Sequence, residues 1–194
     1  IGNIAFDKEN NAWFLADNYL IKFDGVNFTK ITPSNFTLSN EIIIDNNDFI
    51  WLSSSNNLIK YDGLNWQVFY GDSIGITFPV SHLRNDRKDN IWFLEGGSRL
   101  KKFNSANTTL ISPSNYFTYI EGFEIDTLDN IWATYYNFND NNGYLLRLNG
   151  NKWDTLSTNF PRDKYGIMKI FPIETNDVFI GTTEGLFRLK NNSV

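Results

Sequence analysis

Few residues in this chain have the capacity for bond-making chemistry. Among its 194 residues there is one histidine, His82, and no cysteine. A Ser-His-Asp relay needs a nucleophile on a sharp turn and an acid that orients the imidazole. His82 does follow Ser81, but no nucleophile-elbow motif accompanies it. The expected reading is a strand histidine at the start of the third repeat's first strand, with a channel-facing ligand contact as its functional alternative. The lack of thiols excludes disulfides, thiolate metal ligands and cysteine nucleophiles. A single imidazole leaves too few soft donors for a transition metal. No catalytic residue, metal or cofactor is expected.

The charged residues recur too regularly to be an accident of composition. Asp7, Asp45, Asp86 and Asp126 each stand six residues before a tryptophan. Calcium loops need a dense Asp-x-Asp-x-Asp-Gly run, which is absent, so these acids are read as turn caps. Lys22, Lys60, Lys102, Arg147 and Arg188 occupy one repeated position. They are read as solvated strand residues or partners of nearby carboxylates, with an anionic ligand as the alternative. Binding residues concentrate on loops held by a rigid scaffold, so irregular stretches are the better functional candidates. One is the insertion Tyr135 to Gly143, which adds about six residues to a hairpin and carries tyrosines among amides. The other is Tyr70 to Phe78, which bridges two repeats. The candidate ligand-binding residues are Tyr135, Tyr136, Phe138 and His82.

The elements that must position these residues follow from the repeat. Trp13, Trp51, Trp92 and Trp132 recur at spacings of 38, 41 and 40 residues, each behind an Asn- or Asp-bearing frame such as Asp89-Asn90-Ile91. A fifth copy has Phe179 in place of the tryptophan and Ile173 in place of the acid. After each aromatic comes Leu-x-Lys/Arg, as in Leu58-Ile59-Lys60, and then a turn such as Asp62-Gly63 or Asn149-Gly150. Asp-Gly and Asn-Gly tolerate positive φ and favour tight hairpins. Each unit therefore reads as three or four short strands; in the second unit these are Ile42 to Ile44, Ile50 to Ser53, Leu58 to Tyr61 and Trp66 to Phe69.

Repeats of about 40 residues without helical stripes are the blades of a β-propeller. The fold class is all-β, with about five four-stranded blades at 1-38, 39-78, 79-118, 119-164 and 165-194, forming a single propeller domain or fragment. The tryptophan is the expected wedge between blades. The chain opens on a first strand and its fifth unit stops where a fourth strand is due, so the blades are expected to be part of a larger, seven-bladed ring with open edges available for association.

Composition narrows the partners. The chain is 41% apolar and 16% aromatic, enough to fold. Its net charge is −5 and its basic residues are scattered, so nucleic acid is not an expected partner. No stretch has the apolar length of a membrane span.

The repeat frame Asp-x-x-Asp-Asn-Ile-Trp, complete in the third repeat at Asp86 to Trp92, then Leu-x-Lys-Tyr-Asp-Gly, complete in the second repeat at Leu58 to Gly63, and then an aromatic, resembles the two-component regulator propeller repeat. The resemblance spans Ile4 to Lys190. It implies a bacterial sensor-type propeller, periplasmic or extracellular, of the kind found in hybrid histidine kinases and in type IX secretion proteins. Where that repeat usually carries glycine, this chain has Asn11, Phe49, Asn90 and Asn130. The function it implies is a non-enzymatic module that senses a glycan or small molecule or binds a protein, with a scaffold role in a secretion or surface complex as the alternative. A related repeat occurs in streptogramin-inactivating lyases, which rely on histidine chemistry; one histidine leaves that reading without its machinery.

Overall fold

A computed structural model describes residues 3–33, 36–38, 41–111, 118–137, 142–150, 152–157, 167–174, 177–182 and 185–190. The first blade is β1 (Ile4–Phe6), β2 (Ala12–Ala16), β3 (Tyr19–Phe23) and β4 (Phe28–Ile31). The second is β5 (Ile42–Ile44), β6 (Ile50–Ser54), β7 (Asn57–Tyr61) and β8 (Trp66–Phe69), followed by a one-turn helix α1 (Gly71–Ile74). The third is β9 (Val80–Asn85), β10 (Ile91–Glu95), β11 (Arg99–Phe103) and β12 (Thr108–Leu110). The fourth is β13 (Thr118–Ile125), β14 (Ile131–Asn137), β15 (Asn142–Asn149) and β16 (Lys152–Ser157); the fifth is β17 (Ile167–Glu174), β18 (Asp177–Thr182) and β19 (Gly185–Lys190). Each blade is one antiparallel meander in sequence order, four-stranded in the first four and three-stranded among the described residues of the last, where β19 lies at the edge.

The turn chemistry accounts for the meander. Between the third and fourth strands, Asp24 Oδ1 accepts the N–H groups of Val26 and Asn27, and Gly25 takes φ +96°. Asp62 and Gly63 repeat this, and Asn104 with Ser105 does so without glycine. A short side-chain acceptor satisfies two turn N–H groups while the next residue absorbs the left-handed conformation.

The chain divides into two compact units, one holding the first two blades and most of the third, the other the fourth and fifth. Within the first, Trp13, Leu15 and Leu20 of blade one pack on Ile42, Ile50, Leu52, Ile59 and Tyr61 of blade two. Trp51 and Leu58 pack in the same way on Leu83, Ile91, Phe93 and Phe103 of blade three. Within the second, Trp132 and Leu145 pack on Ile170, Val178, Ile180 and Leu189. All four tryptophans are buried, on β2, β6, β10 and β14. The wedge expected from their spacing is present at these three interfaces.

Candidate functional site

The repeated acids are committed to the tryptophans themselves. Trp51 Nε1 donates to Asp45 Oδ2 at 2.8 Å, while Asp45 Oδ1 accepts the N–H groups of Asn47 and Phe49. The same bond joins Trp13 to Asp7, Trp92 to Asp86 and Trp132 to Asp126 at 2.8 to 3.1 Å. Both oxygens of each carboxylate are thus occupied by N–H donors, whereas a general acid or base needs one open to substrate. At Asp86, burial pushes the carboxyl's pKa up, but hydrogen bonds from Trp92, Asn90 and Lys88 outweigh it and hold the group below its ordinary 3.8. Asp7 is lowered by the same balance. The turn-capping expectation holds, and the indole bond adds a role that capping alone did not anticipate.

The next acid in the frame ties blade to blade. Asp48 Oδ1 accepts the N–H of Lys8 from the preceding blade, and Asp89 accepts from Asn46 and Asn47. Asn10, Asp48, Asp89 and Asp129 all sit at positive φ, between 59° and 65°. Asn and Asp enter that region readily. Since the left-handed residue is the one before Asn11, Phe49, Asn90 and Asn130, these four positions do not require glycine.

The repeated bases lie over the repeated aromatics. Lys22 lies over the Trp13 ring at 5.3 Å, Lys60 over Trp51 and Lys102 over Trp92 at 5.5 Å, Arg147 over Trp132 at 5.6 Å and Arg188 over Phe179 at 5.3 Å. These cation–π contacts form because the base stands directly across the strand pair from the aromatic, as Trp13 does from Lys22. The ring contact is an addition to the expected readings, while Arg188, which is exposed, also has the expected carboxylate partner. In the fifth blade, Phe179 has no ring N–H, and Ile173 stands where its acceptor would be. Asp177 instead takes Arg188 in a two-bond pair, Nε to Oδ1 at 2.8 Å and Nη2 to Oδ2 at 2.6 Å.

The bridge Tyr70 to Phe78 is pinned rather than loose. Glu95, fully buried, meets Lys101 Nζ at 2.8 Å and accepts the N–H groups of Thr77 and Phe78. Lys101 also donates to the Gly75 carbonyl at 2.6 Å. Burial raises the Glu95 pKa, and the Lys101 and backbone hydrogen bonds overcome it, leaving the carboxyl below its ordinary 4.5. Gly71 is obligatory: a Cβ there would stand 2.4 Å from the Asn56 carbonyl oxygen. Gly71, Ile74 and Ile76 of the bridge are buried while Tyr70 and Phe78 are exposed, and nothing in the sequence pattern distinguished Glu95 and Lys101 from surface strand residues.

His82 stands at a β-bulge, with φ +57°, where β9 shifts register against Trp92 and Leu94 of β10. Its Nδ1 is 3.1 Å from Ser81 Oγ. Bulges re-aim side chains and frequently adjoin functional sites. Among the described residues no cluster of three or more His, Asp or Glu side chains is arranged to hold a metal.

On either side of residues 138–141, which lie outside the described residues, the insertion in blade four lengthens the strands. β14 and β15 run seven and eight residues, against five in β6 and β7. Tyr135 and Tyr144 face each other in register and stack with centroids 4.7 Å apart and planes 10° from parallel. Tyr136 lies opposite Gly143 on one side and Tyr119 on the other. Tyr135, Tyr136 and Tyr144 are half-buried. Phe138 lies outside the described residues. The structure thus brings Tyr135 and Tyr136 onto one hairpin, adds Tyr144 to them, and leaves His82 on a different blade.

No protein-family model matches the sequence and no curated protein matches it. Solved structures do. YCF48 from Cyanidioschyzon merolae superposes with a TM-score of 0.74 at 16% identity over 98% of this chain and 66% of its own, and a second YCF48 structure, bound to D1 peptide, with 0.71 at 11% over 98% and 63%. The extracellular domain of the putative hybrid two component system BT4673 from B. thetaiotaomicron gives 0.66 at 18% over 98% and 27%. The GH74 enzyme of Niastella koreensis gives 0.69 at 17% over 91% and 33%. The blades are those of a β-propeller. This chain spans about two thirds of the YCF48 propeller and about a quarter of the BT4673 domain. No helix of the described residues is long and apolar enough to cross a membrane.

Proposed function

We propose that this chain is a non-enzymatic binding module of the propeller type, and that it grips an extended peptide segment of a partner protein on the long hairpin of its fourth blade. The observation that carries this reading is the parallel stack of Tyr135 on Tyr144. Rings stacked this way offer large, rigid, amphipathic contact area at little entropic cost, which is why tyrosine is favoured at interfaces. The recurring charged residues support it from the other side: the repeated Asp side chains are taken by indole and turn N–H groups, and the repeated bases lie over rings. A peptide-bound YCF48 propeller of the same fold supports the choice of a peptide over other ligands. The compartment we assign is periplasmic or extracellular, in a bacterial sensor or secretion assembly, on the repeat resemblance and the likeness to the BT4673 extracellular domain.

The test is selection of a displayed random-peptide library and a glycan array on the same immobilised protein. Peptides are expected to be enriched, and Tyr135→Ser with Tyr144→Ser to lose them by at least about tenfold in affinity, as loss of a central aromatic anchor costs more than about 1.4 kcal/mol. Enrichment of glycans alone would turn the module into a sugar sensor. Turnover of a glycoside that disappears in His82→Ala would make it an enzyme.

A further inference from the structure

Blade two departs from the repeat at one position that the other tryptophan-bearing blades keep. In blades one, three and four the residue two before the tryptophan is Asn11, Asn90 or Asn130, and its amide donates to Asp7, Asp86 or Asp126. In blade two that residue is Phe49, which has no amide to give. Its ring lies under Lys60 instead, with Nζ 3.5 Å from the Phe49 centroid and 5.5 Å from that of Trp51. Gln67 stands opposite Lys60 across the next strand pair, a place that Thr29 holds in blade one. Phe49, Lys60 and Gln67, with Asp62 and Asn65 of the adjoining turn, line a concavity of about 230 Å³.

The lining carries opposite charges that do not meet. Lys60 is half-buried, and among the described residues its ammonium has ring contacts but neither an ion pair nor a hydrogen bond. The Gln67 amide likewise has no partner among the described residues. Asp62 Oδ1 takes the N–H groups of Leu64 and Asn65, whereas Oδ2 takes only the Asn65 amide, at 3.2 Å. Those hydrogen bonds hold the Asp62 carboxyl below its ordinary 3.8, so it is an anion at neutral pH. Lys60 and Asp62 are two residues apart, roughly 7 Å along an extended chain, and both line the concavity. A volume below the roughly 300–1,000 Å³ of drug-sized sites limits the ligand to a small molecule. A neutral sugar would leave both charges without a counter-charge, whereas a zwitterion meets both with charge-assisted hydrogen bonds.

We propose that this concavity binds a free α-amino acid, at a site separate from the hairpin of blade four. The α-carboxylate meets Lys60 and Gln67, the α-ammonium meets Asp62 Oδ2 and the Asn65 side-chain carbonyl, and the side chain lies along Phe49. Amide chemical shifts of the whole chain, titrated with each free L-amino acid in turn, test it. At least one is expected to shift Phe49, Lys60, Asp62, Asn65 and Gln67 together, with a dissociation constant below about 10 mM. Its N-acetyl derivative, which lacks the ammonium, and its amide, which lacks the carboxylate, should each bind at least about tenfold more weakly, as each loses a charge-assisted hydrogen bond. Lys60→Met and Phe49→Asn should lose a similar factor; the second restores the residue that blades one, three and four carry. Lys22→Met removes the matching ring contact from blade one and should leave binding unchanged, which separates ligand contact from blade stability. Tyr135→Ser should also leave it unchanged, so this site and the hairpin stand or fall separately. The proposal is overturned if no amino acid moves those amides, if the N-acetyl and amide derivatives bind as well as the parent, if Lys60→Met binds like wild type, or if glucose moves the same amides and no amino acid does.

Discussion

At the level of single residues, the unit that repeats is a trio: a carboxylate that accepts an indole N–H, and a cation over the indole ring. Asp45→Ala should leave the Trp51 N–H and two turn N–H groups without their acceptor, at a cost of about 3 kcal/mol, whereas Trp51→His, or any replacement that keeps the carboxylate, tests the packing term separately. Urea unfolding of the Asp45 variant measures it; a loss under about 0.5 kcal/mol would show that the bond is incidental. The sequence displayed the fixed six-residue spacing of acid and tryptophan and, in the fifth copy, the loss of both together as Ile173 and Phe179. That joint loss was the legible sign of a direct bond, because an acid needed only to cap a turn would have no reason to vanish with the indole.

Two buried carboxylates, Asp86 of the repeat and Glu95 under the bridge, contribute to the response to acid. Asp86 and Glu95 have folded-state pKa values below their ordinary 3.8 and 4.5, so the unfolded chain binds more protons as pH falls through that interval. Their contribution is fully present above the ordinary values and is lost as pH drops through the lowered ones. Stability should therefore hold down to about pH 5 and fall steeply below about pH 4, with a shallower fall in Glu95→Gln. A urea midpoint unchanged between about pH 5 and about pH 3 would contradict the assignment.

At the level of elements, strand boundaries were readable because each is punctuated by a residue with a physical reason to be there. The second blade's four strands fall within a residue or so of the expected ones, since Asp45, Asp48, Asp62 and Gly63 close its turns. What could not be read were contacts between residues distant in sequence and without a repeat partner. Glu95 and Lys101 look like ordinary strand charges until α1 and its following segment close over them. Lys101→Met should leave a buried carboxylate without its partner and cost about 3 kcal/mol or more. Limited proteolysis should then cut between Gly71 and Phe78, where wild type resists. Blade four's insertion was legible as extra length but not as strand, because Tyr135 and Tyr136 carry β propensity while the amides beside them read as loop.

For the molecule as a whole, Trp13, Trp51 and Trp132 sit in the cores between blades, and the irregular hairpin is the segment proposed to meet a partner. Trp132→Ala, at 1% exposure against the Ile170 to Leu189 core, should cost about 3–5 kcal/mol and lower the melting temperature without a change in which peptides are selected. The central claim is that binding belongs to the hairpin and not to the repeat. Amide chemical-shift changes during titration with a library-selected peptide test it most directly. The account predicts that the largest shifts fall in β14 and β15, at Tyr135, Tyr136 and Tyr144, and that they disappear in Tyr135→Ser. Shifts gathered instead around His82 and the turns at Asp45 to Asp48 and Asp86 to Asp89 would place the site on the repeat and contradict it.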